Sequence, residues 1–420
     1  MMEGWKEIRL KELIFEMGDG GTPSTVVDGN FGGNIPWVVV DDVKPEIYFT
    51  KDCLTEQGFK SCSAKMWNEG TIILTTGATI GKVGIAKVPL CTKQGITGIV
   101  CNEYANNLFV RYWLEANEEQ LLRYAQGTTF KEIRTRPLGN LRIMVPKPFT
   151  KESVEKQTAI ANILSKVDEA IASVQGSIAA AERLKKSLMQ NLLTGRMKPD
   201  GTLRKEDEFY IDEKFGKVPM GWEVKAVGDK SVCHINPNYK YKKKELYDFV
   251  PMEAVRENFG GLDFVEKQVI DNGSYTRFKA GDILFAKITP CSENGKVAYI
   301  EHIDSEVGFA STEFIVFQPT DNVNGRFVYL LLASENVHRL AISLMEGTTG
   351  RQRIPWKIFR NRIFVPMPEK DEQTEIVNRL VSFDKLITDK KLKIATLERL
   401  KKSLMQNLLT GRVRISYKNK

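Results

Sequence analysis

The stretch ERLKKSLMQNLLTGR occurs at residues 182–196 and again, unchanged, at 398–412. Extended backwards at the same offset of 216, residues 157–196 align with 373–412 without a gap, and 24 of 40 positions are identical. An internal duplication constrains a fold more than any local signal, because whatever one copy builds the other must build too. Upstream the offset becomes 220: Gly127-Thr128-Thr129 answers Gly347-Thr348-Thr349, and residues 141–148 answer 361–368. The starts also correspond, Gly4-Trp5-Lys6-Glu7-Ile8 with Gly221-Trp222-Glu223-Val224. Between these anchors only short echoes survive, residues 69–74 with 280–285 and Gly81-Lys82-Val83 with Gly295-Lys296-Val297. A repeat of 216 residues is far longer than the roughly 20–50 residues of a solenoid unit. Two copies of one machine with different cargo fit better.

The near-identical segments are read as helices. Ile376, Leu380, Phe383, Ile387, Ile394, Leu397, Leu404 and Leu408 are spaced by fours and threes, with Lys390 and Lys401 filling the gaps. Ile160, Leu164, Val167, Ile171, Val174, Ile178, Ala181, Leu188 and Leu192 keep the same register around Lys185. That 3.5-residue period is a coiled-coil seam. Thr194-Gly195-Arg196 and Thr410-Gly411-Arg412 put glycine where a left-handed helix cap belongs. About 35 helical residues span roughly 50 Å, and two such helices would most simply pair as a rod; burial of each in its own domain is the competing arrangement. Packing alone tolerates many apolar swaps, so fifteen identical residues, exposed polar ones such as Lys185, Lys186, Gln190 and Asn191 included, suggest that both copies meet the same partner surface. Leu188, Met189, Leu192 and Leu193, with Leu404, Met405, Leu408 and Leu409, are the candidates for that contact. Recent duplication without such a constraint is the rival account, weakened by the diverged domains alongside.

The chain is thus parsed as domains at 1–150 and 217–370, long helices at 151–196 and 371–412, a polar linker at 197–216 and a basic tail at 413–420. Both variable parts hold short β-prone runs broken by Gly, Pro, Asn and Asp, with amphipathic helices near 108–125 and 325–345. Two α+β domains of similar fold are expected.

Function classes fall away by composition. With 42% apolar and 27% charged residues the chain is ordinary for a soluble globular protein. The longest apolar run, residues 327–333, is far short of a membrane span, and the start shows no secretory pattern, so a cytoplasmic protein is expected. Six cysteines lack clip spacing, and three histidines make a zinc site or a His-based triad a poor proposition. The net charge of +8 is confined: residues 390–420 carry a balance of +9, leaving −1 elsewhere. Such a segment suits phosphates or an acidic protein as well as it suits a solvated helix face. Gly77-Ala78-Thr79-Ile80-Gly81-Lys82-Val83 resembles a phosphate-binding loop but is one residue short and has Val83 where a hydroxyl must hold magnesium. Asn236-Pro237-Asn238-Tyr239 reads as a turn, and Cys233-His234 lacks further ligands. No metal and no catalytic residue is expected: the chain recognises something and does not transform it.

Polar and basic loop residues are the candidates for DNA contact. They are Thr79, Lys82, Lys87, Lys131, Arg134 and Arg136 in the first half, and Lys287, Lys296, Arg351 and Arg353 in the second. The run Tyr239-Lys240-Tyr241-Lys242-Lys243-Lys244 interleaves aromatics with cations, a mix suited to phosphates and base stacking.

Over essentially its whole length the chain resembles the DNA-specificity subunit of Type I restriction–modification enzymes. The resemblance rests on Gly4-Trp5 and Val218-Pro219-Met220-Gly221-Trp222, on Asp19-Gly20-Gly21-Thr22-Pro23-Ser24, on Ile35-Pro36-Trp37-Val38, on Gly-Thr-Thr before each helix, and on Leu-Leu-Thr-Gly-Arg at each helix end. Ile235-Asn236-Pro237 stands where the second half lacks the Gly-Gly-Thr-Pro loop. The resemblance implies two target-recognition domains separated by two long helices forming an antiparallel coiled coil, each domain reading one part of a split DNA site, with Thr22 joining the contacts. A 50 Å rod would match roughly 15 base pairs. It also implies double-stranded DNA, two methyltransferase subunits and a restriction/translocase subunit as partners, with S-adenosylmethionine, ATP and Mg used in those subunits and none in this chain. Two alternatives stay open on the residues alone: a coiled-coil adaptor without DNA, and an orphan DNA-binding protein of the same fold.

Overall fold

The structure, a computed structural model, describes residues 4–127, 131–147, 150–271, 274–348, 350–413 and 415. Thr128, Thr129 and Thr349 of the Gly-Thr-Thr motifs, Pro148, Arg414 and residues 416–420 of the basic tail lie outside the described residues. The chain forms two compact units, Met1–Gly176 with Lys391–Lys420, and Ser177–Lys390. The boundary falls inside the two long helices, Lys151–Leu193 and Lys370–Leu408, so each unit holds one variable domain and a stretch of both helices.

The two domains are built alike. In the first unit a five-stranded sheet runs in the order Ile14–Asp19, Ile96–Cys101, Ile72–Thr75, Val83–Ala86, Glu46–Ile47. A second sheet runs Asp52–Leu54, Phe31–Val38, Leu90–Thr92, Met66–Trp67. In the second unit the sheets are Cys233–Ile235, Phe314–Pro319, Ile283–Ala286, Val297–Tyr299 and Glu266–Ile270, Glu245–Val250, Gly308–Ala310, Thr276–Phe278. The central strands Ile72–Thr75 and Ile283–Ala286 are buried on both faces, which is why residues 72–74 and 283–286 are continuously apolar rather than alternating. The first strand of each domain pairs antiparallel with its last, Trp5–Arg9 with Arg142–Pro146 and Glu223–Ala226 with Phe364–Met367, and so brings each long helix's start beside its domain's first residues.

A polar clamp fastens domain to helix, once in each unit. Asn106 caps the helix Asn107–Ala116, accepting from the Phe109 N–H at 3.0 Å. Its own N–H donates to Gln157 Oε1 at 2.9 Å and its Nδ2 to Thr158 Oγ1 at 3.1 Å. Asn324 repeats every bond on the helix Gly325–Leu332, donating to Gln373 Oε1 at 2.8 Å and Thr374 Oγ1 at 3.2 Å. Both glutamines are buried, a position tolerated only because their amides are paired. The Gln-Thr pair that opens the repeated segment is therefore a structural requirement.

The helix ends carry the second fastening. Gly195 and Gly411 have φ of +69° and +76°, and a Cβ on Gly411 would run into the Trp5 indole, while one on Gly195 would run into Pro219 and lie 3.2 Å from Trp222. Glycine is needed there for conformation and for close approach at once. The stretch 197–216 is itself folded: Phe209–Asp212 pairs with Gly216–Pro219, and Arg204 donates to the Gly195 carbonyl at 2.9 Å.

The seam positions named from the 3.5-residue period, from Ile160 to Leu192 and from Ile376 to Leu408, are all buried or half-buried, with exposed residues between them. In the second unit Lys185 pairs with Asp384, Arg379 donates to Pro199 O and Arg204 pairs with Glu372. One number rises as its partner's falls, so the two segments run antiparallel. The 216-residue offset carries the Lys185–Asp384 pair onto Lys401–Asp168 in the first unit, at 2.8 Å. Among the described residues no helix is long and apolar enough to cross a membrane.

Candidate nucleic-acid interface

In the first unit four loops are laced together by backbone hydrogen bonds. Gly21 N–H donates to Thr92 O at 2.9 Å, Gly77 N–H to Gly95 O at 2.9 Å, and Ile133 N–H to Thr76 O at 2.8 Å. Asp19 Oδ1 accepts from the Gly95 N–H at 3.0 Å; burial raises its carboxyl above the usual range. Gly20 and Gly21 lie so close to Thr92 and Ala64 that a Cβ at either would collide with backbone, which accounts for the paired glycines of that loop. The lacing brings together the loops bearing Thr22, Thr79, Lys131 and Arg134, all exposed, with Arg136 exposed just beyond. Lys82 and Lys87 differ. Lys82 Nζ donates to Val40 O at 3.4 Å, and Lys87 is ion-paired with Glu46 at 2.8 Å, holding that carboxyl below its ordinary value.

The second unit repeats one link of this frame, between the hairpin loop and the segment ahead of the last strand, with other side chains. Ile354 N–H donates to Lys287 O at 2.8 Å, the counterpart of Ile133 with Thr76, and Thr289 N–H donates to Gln352 O at 3.1 Å. Arg353 grips Glu313 through two bonds, at 2.9 and 3.0 Å, while Arg351 beside it is exposed. Lys287 Nζ donates to Thr312 O at 2.7 Å and Lys296 Nζ to Met252 O at 3.0 Å. In the run 239–244 rings and cations part company. Tyr239 donates its hydroxyl to Asp282 at 2.9 Å, and the Tyr241 ring packs edge-on to Phe309 at 5.1 Å beneath the Arg277 guanidinium. Lys240, Lys242, Lys243 and Lys244 are left exposed on a strapped-down backbone. Arg277 also donates to Asn238 Oδ1 and Tyr239 O. Its part in holding the run had no local signal in the sequence.

The helical candidates point inward. Leu188, Leu192 and Leu193 belong to the core of the second unit, with Met189 packed against it. Met405, Leu408 and Leu409 belong to that of the first, with Leu404 packed against it. Both copies instead expose one identical face: Glu182, Arg183, Leu184, Lys186, Ser187 and Gln190, matched by Glu398, Arg399, Leu400, Lys402, Ser403 and Gln406. Leu184 is 51% exposed and Leu400 46%, unusual for leucines in a segment whose other apolar residues are covered. Among the described residues no group of His, Cys, Asp and Glu could hold a metal ion.

A family model for the Type I restriction modification DNA specificity domain matches residues 2–183 and again 219–399. The MjaIX specificity subunit of a Type I restriction enzyme from Methanocaldococcus jannaschii is 27% identical over 98% of this chain and 94% of its own length. The fold is shared with a Type I restriction–modification S subunit from M. genitalium, at TM-score 0.53 and 16% identity over 96% of each chain. It is shared too with a chain from a study of complex assembly and conformational transition in the type I system, at TM-score 0.58 and 16% identity over 98% of each. With two matched domains, a duplicated domain-and-helix plan and laced polar loops at equivalent places, the chain belongs to the Type I restriction–modification DNA specificity family.

Proposed function

We propose that this chain is the non-catalytic reader of a Type I restriction–modification complex, each variable domain recognising one half of a bipartite site in double-stranded DNA. The observation that carries the reading is the repeated loop frame. The Ile133–Thr76 and Ile354–Lys287 bonds join the same two loops, while the exposed polar side chains differ between the domains: Thr22, Thr79, Lys131 and Arg134 in one, Arg351 and, on a separate strapped-down loop, the lysines of 240–244 in the other. One frame with two sets of polar groups suits two different half-sites, since base edges are told apart by the donors and acceptors presented to them. The long helices set the spacing between half-sites.

The identical face around Leu184 and Leu400 docks two copies of one methyltransferase subunit, because a surface presented twice fits the same partner twice. S-adenosylmethionine-dependent adenine methylation, and ATP- and Mg-dependent cleavage by a further subunit, then take place in those partners, in the cytoplasm. The test is a map of methylated adenines in the source strain with and without this chain. One motif of two short blocks and a fixed gap should vanish on deletion. Loss of no split motif, with the methyltransferase active, contradicts the reading.

A further inference from the structure

Each domain carries a hairpin loop at the heart of its frame, joining Ile72–Thr75 to Val83–Ala86 in the first and Ile283–Ala286 to Val297–Tyr299 in the second. Both loops end in Gly-Lys-Val, one of the few echoes left between the domains. Lys82 Nζ donates to Val40 O and Lys296 Nζ to Met252 O, at 3.4 and 3.0 Å. The two acceptors occupy the same place. Each opens a short turn, Val40–Asp42 or Met252–Ala254, that follows the strand Phe31–Val38 or Glu245–Val250. The glycines before the lysines have φ of +105° and +68°, and each backs onto a neighbour, Glu118 in one case and the Phe259 ring in the other.

A residue kept at one place in two domains that read different bases is ill suited to carry the difference between them. A bond made twice to the same element of the scaffold accounts for its retention. In the first domain Asp41 Oδ1 lies 3.8 Å from the same ammonium and offsets its charge. We propose that Lys82 and Lys296 are positioning residues: each latches the recognition loop of its own domain to the scaffold, deciding which bases that loop meets without contacting DNA itself. This rests on the reading of the domains as DNA readers.

The test uses the complex with its methyltransferase, once the target motif is mapped, and follows binding to duplexes by fluorescence anisotropy across a salt series. Lys82→Met should lower discrimination about tenfold against a duplex altered in one half-site, an effect the size of one mismatch. Discrimination at the other half-site should hold, as should the slope of log affinity against log salt. Lys296→Met should do the same at the opposite half-site. Lys131→Met, which removes an exposed cation from the laced loops, is the comparison for loss of surface charge alone, and Lys82→Gln, a neutral donor, gives the same two readouts should Lys82→Met fail to fold. Uniform weakening on every sequence with a slope shallower by about 0.9, the signature of one lost phosphate contact, overturns the latch; so does no change in either readout. A wild-type complex without sequence preference overturns the DNA reading and the latch together, and is recognised because it shows before any substitution is made.

Discussion

Lys401 on the second long helix lies 2.8 Å from Asp168 on the first, and 216 residues earlier Lys185 meets Asp384 in the same way. The two pairs differ in their surroundings. Around Asp168 the first unit adds Arg111, 3% exposed, together with Glu115 and the Tyr112 hydroxyl at 2.7 Å. Burial pushes the Asp168 carboxyl up, but the bonds from Lys401 and Tyr112 outweigh it and hold the group below its ordinary value. Its stabilisation is therefore present above the ordinary carboxylate pKa and is lost as pH falls below it.

Removing one partner of a buried network strands the others, whereas an exposed pair loses little. Lys401→Met should destabilise the first unit by about 3 kcal/mol, and Lys185→Met, whose partner Asp384 is 55% exposed, should cost under about 1 kcal/mol. Urea unfolding at pH 7 measures both; equal costs would show that the network around Asp168 adds nothing.

The close approach of Trp5 to Gly411 makes a second prediction. Gly411→Ala combines a left-handed backbone with a clash against the indole, and should cost about 1–3 kcal/mol while shifting Trp5 fluorescence. Gly176→Ala, within the first long helix and with open space around it, should be neutral or stabilising by the same measurements.

Asp282 supplies a pH dependence of opposite sign to Asp168. Burial pushes its carboxyl from 3.8 up to about 6, against bonds from the Lys279 N–H and the Tyr239 hydroxyl. The folded chain thus holds a proton that the unfolded chain has released between those values, so this group's contribution falls as pH rises through that window and is flat above it. Asp282→Asn should gain about 2 kcal/mol relative to the native chain between pH 4 and 7, at about 1.4 kcal/mol per pKa unit. A stability difference that does not vary with pH would contradict the shift.

The exposed leucines lead to a prediction about assembly. Leu184→Asp and Leu400→Asp should leave thermal stability unchanged, since neither side chain lies in a core. Each should weaken one methyltransferase contact about tenfold or more, so that single variants retain one subunit and the double variant none, as read by sedimentation. Full occupancy in the double variant would place the docking surface elsewhere.

How much of this was legible in the sequence depends on the range of the interaction. The helices were, because a 3.5-residue period records burial directly and every named position from Ile160 to Leu192 is covered. The α+β character followed from short β-prone runs, but strand order did not, since runs buried on both faces carry no alternation. Charge identified the polar loop residues without revealing their partners. Arg353 meets Glu313 forty residues away, and Lys87 meets Glu46, through contacts that only the folded sheets create. Identity, exposed polar positions included, marks residues 182–196 as a docking segment without saying which side chains face out; tertiary packing puts Leu188 and Leu192 into a core and leaves Leu184 outside.

The most direct test of the central claim is a domain exchange. Residues 217–370 are replaced by the matching domain of another family member, and the methylated motif is sequenced from cells carrying the hybrid. One block of the motif should change while the other block and the gap length stay as they were. A hybrid that alters both blocks, or neither, would contradict the assignment of one half-site to each domain.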